Sequence, residues 1–80
     1  MQISLEDQIK AMHRELALRK NTYRKRVADG RMSKTEAIAE YSRALAVVKT
    51  LRAIAEHRPD DALEGWFLAP ADMERAIFGA

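Results

Sequence analysis

The sequence predicts an all-α chain: an antiparallel two-helix hairpin with a short C-terminal third helix. Three observations predict it. Two long segments carry apolar residues at helical spacing. A single glycine bend joins them, and folding the chain at that bend sets apolar residues opposite apolar residues. A hairpin of this kind leaves apolar surface open, so dimerisation into a four-helix bundle is one expected arrangement.

The first helix is expected over about Leu5 to Asp29. Its apolar positions are Leu5, Ile9, Met12, Leu16, Tyr23 and Val27. Steps of three, four and seven describe one helix face. Ser4 can cap the start, with Asp7 as the short arm of a capping box. Gly30 follows the last periodic residue, where a left-handed cap favours a residue without a β-carbon.

The second helix opens on Ser33-Lys34-Thr35-Glu36, a full capping-box sequence. Apolar residues follow at Ile38, Tyr41, Leu45, Val48, Leu51 and Ala55, and Ala37 and Ala44 widen the stripe. Val47 and Ile54 lie off this seam and suggest burial on a second side. Arg58-Pro59 is expected to end the helix, because proline disfavours helical geometry in the residue before it. Only Gly30 to Ser33 separates the helices, so they must be antiparallel neighbours. Facing residues then sum to about 64 or 65. Val27 meets Ile38, Tyr23 meets Tyr41, Leu16 meets Val48, and Ile9 lies near Ala55. His13 falls opposite Leu51 or Arg52.

Residues 1–58 thus form the hairpin and residues 59–80 a tail. Arg58-Pro59-Asp60-Asp61 reads as a turn, and Gly65-Trp66-Phe67-Leu68 concentrates bulky apolar surface. Pro70 to Phe78 reads as the third helix, with Pro70 in its first turn and Asp72 and Glu74 near the positive end of its dipole. Trp66, Phe67 and Ile77 are expected to pack on a helical surface, of this chain or of a twin.

Composition narrows the function. The chain has 80 residues, 48% of them hydrophobic and 32% charged, a folded rather than disordered profile. So short a chain has a marginal core of its own. With no cysteine and two histidines, disulfides, thiolate metal sites and a cysteine nucleophile are excluded. His13 and His57 lie about six residues apart along the hairpin, roughly 9 Å, too far to share a metal. His57 is expected beside Asp7 at a helix end. The three glycines are isolated, so no phosphate-cradling loop exists. A two-helix hairpin also offers no concave pocket. The expectation is a protein with no catalytic residues, no metal and no cofactor. Met-Gln-Ile-Ser-Leu-Glu-Asp lacks the basic start and apolar core of a signal peptide. No apolar run is long enough for a membrane span, so no membrane role is expected and the cytoplasm is the expected location.

Net charge is +2, but it is uneven. Lys10 to Lys34 holds nine basic residues against Glu15 and Asp29, while Glu56 to Ala80 holds six acidic against two basic. Such a basic segment meets an anionic partner, the chain's own acidic tail, or only solvent. Nucleic-acid binding through the basic first helix is one alternative, and it would be salt-dependent. At 100° per residue, however, Arg19, Lys20, Arg24, Lys25 and Arg26 spread around most of the helix. A protein–protein role fits better, because tryptophan, tyrosine and arginine are favoured at interface hot spots. The expected partner-binding residues are Tyr23, Trp66 and Phe67 as anchors, with Arg24, Lys25 and Arg26 steering an acidic partner.

The segment Arg14-Glu15-Leu16, Arg19-Lys20, Tyr23, Val27-Ala28-Asp29-Gly30-Arg31-Met32-Ser33 and Glu36-Ala37 resembles a recurring pattern. It is similar to small helical-hairpin proteins encoded by temperate phages and prophages of proteobacteria. These carry an R-x-x-x-Y-x-x-x-V-x-x-G-[RK]-[ML]-[ST]-x-x-E-A core before a second amphipathic helix. The likeness covers about residues 10–55. Where those relatives often have proline after the tyrosine and tryptophan before the valine, this chain has Arg24 and Arg26. The resemblance implies a phage-encoded accessory protein in the cytoplasm of a bacterial host. It supplies no activity. Small phage proteins commonly bind and disable a host or defence protein, so the resemblance favours inhibition or modulation of a bacterial protein. The hairpin's second apolar edge separately favours a homodimer.

Overall fold

The computed structural model describes residues 1–79. It contains α1 (Leu5–Ala28), α2 (Lys34–Ala55) and α3 (Pro70–Phe78), with a 3-10 turn at Pro59–Ala62. No strand occurs among the described residues. The all-helical architecture and the boundaries of all three helices follow the sequence expectation closely.

Local chemistry sets each end. Ser4 Oγ accepts the Asp7 N–H at 3.0 Å, and Gln8 rather than Asp7 reaches back, donating to the Ile3 carbonyl at 3.4 Å. Ser33 Oγ accepts the Glu36 N–H at 3.0 Å. The hydroxyl donates in turn to the Glu36 carboxylate at 3.3 Å, so that arm of the box closes on the side chain instead of the Ser33 amide. At the other end of α1 the Gly30 N–H donates to the Val27 carbonyl and the Arg31 N–H to the Arg26 carbonyl. This paired closure is a Schellman cap, and Gly30 has the positive φ of 73° that it needs.

α2 closes in the same way with a different residue. The His57 N–H donates to the Ile54 carbonyl and the Arg58 N–H to the Ala53 carbonyl, and His57 takes a φ of 60°. An L-residue with a β-carbon is disfavoured there. The expected contact of His57 with Asp7 does not form among the described residues. The ring belongs to an exposed left-handed turn that ends α2 three residues before Arg58.

The register is antiparallel, as expected. His13 Nε2 lies 2.6 Å from the Arg52 guanidinium, one of the predicted pairings. Lys20 crosses from α1 to stand 6.0 Å from the Tyr41 ring centre. Leu16, Tyr23, Ala37, Tyr41, Ala44 and Val48 form the hairpin's part of the core. The pairing of Ile9 with Ala55 is weaker than predicted, since Ala55 is exposed and Ile9 only half-buried. The reason is the position of α3, which packs across both long helices near the bend.

α3 inserts Met73 and Ile77 into the same core, and Ile77 is fully buried. Helix C-terminal carbonyls lack intrahelical partners and favour a cation. Arg24 of α1 supplies one, its Nε donating to the Ile77 carbonyl at 2.5 Å. Lys34 Nζ sits 5.3 Å from the Phe78 ring centre. The tail therefore packs on its own chain. The other side of α2 stays uncovered, and Val47 and Ile54 remain 47% and 44% exposed.

Two stability predictions follow from these packing and capping geometries. Ile77→Ala should lower unfolding free energy by about 3 kcal/mol, measured by urea denaturation. Exchanging the two cap residues should act in opposite directions: Gly30→Ala should destabilise by about 1 kcal/mol, and His57→Gly should stabilise by roughly 0.5–1 kcal/mol. Equal effects of the same sign would contradict the two backbone conformations.

Candidate interaction surface

The residues singled out as partner-binding do not form one patch. Tyr23 is 5% exposed and belongs to the core. Its hydroxyl lies 3.5 Å from Arg19 Nη1, and its edge lines a shallow groove with Arg26, Met32, Glu36, Glu40 and Arg43. Arg24 and Arg26 stand about 200° apart around α1. Arg24 is tied to α3, Arg26 faces the groove, and Lys25 is exposed between them. The basic run is therefore divided among different surfaces.

Trp66 and Phe67 are also separated, by chain geometry. Residues 65–69 form no regular element, and adjacent side chains alternate. Trp66 and Leu68 turn inward and are half-buried, whereas Phe67 turns out and is 89% exposed. The expectation that Phe67 packs on a helix is thus corrected, while Trp66 and Ile77 do pack. The indole Nε1 donates to Thr50 Oγ1 at 3.1 Å. Lys49 Nζ stands 5.0 Å from the indole ring centre. Leu63, four residues before Phe67, is 79% exposed.

Trp66 separates two depressions on α2. On one side, a cleft of about 210 Å³ is lined by Lys49, Arg52, Ala53, Glu56, Arg58 and the indole. On the other, a groove of about 320 Å³ is lined by Ser42, Arg43, Ala46, Phe67, Leu68 and the indole. Sequence reasoning missed Lys49, Arg52 and Ala46. The available signal was the run Ser42, Ala46, Lys49 and Ala53, spaced by three or four and mostly small, which lets a tail approach the back of α2.

Part of the charge is answered within the chain. Ion pairs join Lys10 to Glu6, Arg43 to Glu40, and Arg58 to both Glu56 and Asp61. Lys20, Lys34 and Lys49 stand over aromatic rings. No group of three or more acidic or histidine side chains able to hold a metal occurs among the described residues. No helix among them is long and apolar enough to cross a membrane. Comparison with protein-family models, curated proteins and solved structures returned no match.

Burial pushes the Tyr41 phenol above its usual value, because a phenolate between packed helices loses its hydration. The folded chain therefore holds a proton that the unfolded chain has released, and this contribution to stability falls as pH rises above about 10. Tyr41→Phe should flatten that alkaline loss relative to the parent, read from urea midpoints across the range. An unchanged slope would exclude Tyr41 as its source.

Proposed function

We propose that this chain is a small binding protein of the kind temperate phages and prophages encode. It acts in the cytoplasm of a bacterial host by stoichiometric attachment to a host or defence protein, which it inhibits or modulates. The observation that carries this reading is the outward presentation of Phe67 and Leu63 on a tail whose neighbouring indole is anchored to α2. A large apolar side chain held out by a braced backbone loses little further entropy on binding. Aromatic anchors of this kind dominate interface energetics. Buried Tyr23 and dispersed cations also support protein binding over a nucleic-acid surface, which needs exposed aromatics beside a continuous basic track.

The reading includes a homodimer. Val47 and Ile54 stand one heptad apart on the uncovered side of α2, with half-buried Leu51 between them. A second hairpin laid on that edge completes a four-helix bundle. Nucleic-acid binding remains the second reading, favoured by the exposed Arg14, Lys25, Arg26 and Arg31.

Tagged chain should retrieve one bacterial protein in stoichiometric amount from host lysate, identified by mass spectrometry, and Phe67→Ser should lose it while keeping its helical circular dichroism. Recovery of nothing stoichiometric would remove the main support. Binding to duplex or RNA that weakens steeply with salt would favour the second reading. Light scattering on a sizing column should give twice the chain mass, and Val47→Glu should return the mass of one chain.

A further inference from the structure

The two depressions beside Trp66 lie along one face of α2 and share the indole as a wall. Ser42, Ala46, Lys49, Ala53 and Glu56 succeed one another along a single face of α2, and the indole crosses that face near its middle. From Ser42 to Glu56 the face is about 21 Å long. An extended segment of about six residues covers that length.

The two halves differ in chemistry. Arg58 is held by Glu56 and Asp61. Lys49 and Arg52 have no carboxylate partner among the described residues. Lys49 rests on the indole, and the Arg52 guanidinium lies 2.6 Å from His13 Nε2. Two cations thus stand uncompensated at one end. The other end is walled by Ala46, Phe67, Leu68 and the indole, with Arg43 tied to Glu40 at 2.7 Å. The dividing indole is fixed by Thr50 and Lys49, so both depressions exist before anything occupies them.

We propose that this face of α2 is a docking channel for an acidic-apolar segment of a protein partner. A carboxylate meets Lys49 and Arg52 on one side of Trp66, and a bulky apolar side chain fills the groove beside Ala46 and Leu68 on the other. The proposal rests on the protein-binding reading and names the chemistry of the partner. Charge complementarity selects the occupant: an acidic segment satisfies the two free cations, whereas a basic segment adds like charge.

The test is a random peptide library selected on the immobilised full chain. Enriched sequences should place Asp or Glu within two or three positions of Leu, Ile, Phe or Trp. Trp66 is the only tryptophan, so its emission reports occupancy directly when a tryptophan-free selected peptide is added. Lys49→Glu and Arg52→Glu should each weaken that peptide roughly tenfold, and Arg52→Lys should retain most of the affinity. Enrichment without an acidic bias, or binding that leaves Trp66 emission unchanged, overturns the proposal. So does a single-stranded oligonucleotide that shifts the emission more strongly than the selected peptide. A lysate partner captured equally by the parent and by the Lys49→Glu, Arg52→Glu double variant overturns the channel and leaves the protein-binding reading standing.

Discussion

Two antiparallel helices in contact bury one stripe each and leave the flanks of that stripe wet. For a chain of this size, that seam alone encloses little volume. α3 changes the geometry by placing Ile77 and Met73 in the trough between α1 and α2, so that three elements surround the same side chains. Small residues make this possible: Ala37 and Ala44 are buried and let the long helices approach closely. Arg24 then binds the end of α3 through the Ile77 carbonyl. The course of the tail is thereby pinned at its far end, while Thr50 and Lys49 hold Trp66 on α2.

The same insertion explains why the core is lopsided. The shared core lies where α3 packs, and at the open end Leu5, Ile9, Met12 and Leu51 are only half-buried, although Ala53 on the face beside Trp66 is buried. The edge formed by Val47 and Ile54 runs toward that thin end. The molecule therefore has one face finished by its own tail and one face left apolar.

The hairpin was readable because its determinants are local. Ser33 and Glu36 cap within one turn, Gly30 supplies the left-handed bend, and the period of the apolar residues sets which faces meet. The contact of His13 with Arg52 shows that a register deduced from a four-residue loop holds across the hairpin. The tail was less legible. Residues 65–69 follow no helical period, and the side facing inward depends on backbone turns such as Gly65, at a φ of 80°. Trp66 and Phe67 looked equivalent in sequence and fall on opposite sides. An extended, period-two reading would have separated them. The sequence marks the left-handed backbone of His57 only weakly, because histidine adopts it more often than most side chains but far less readily than glycine. The channel residues were missed because Lys49 and Arg52 look like ordinary solvated charges until a tryptophan from elsewhere in the chain lies beside them.

The lysine–aromatic contacts have a shared arrangement. Lys20 and Tyr41 join α1 to α2, Lys49 and Trp66 join α2 to the tail, and Lys34 and Phe78 join α2 to α3. Each is worth only about 0.5–1 kcal/mol at an exposed site. Because all three joints use a primary amine, acylation that neutralises lysine would slacken every junction together. The arginine that grips the end of α3 would be untouched.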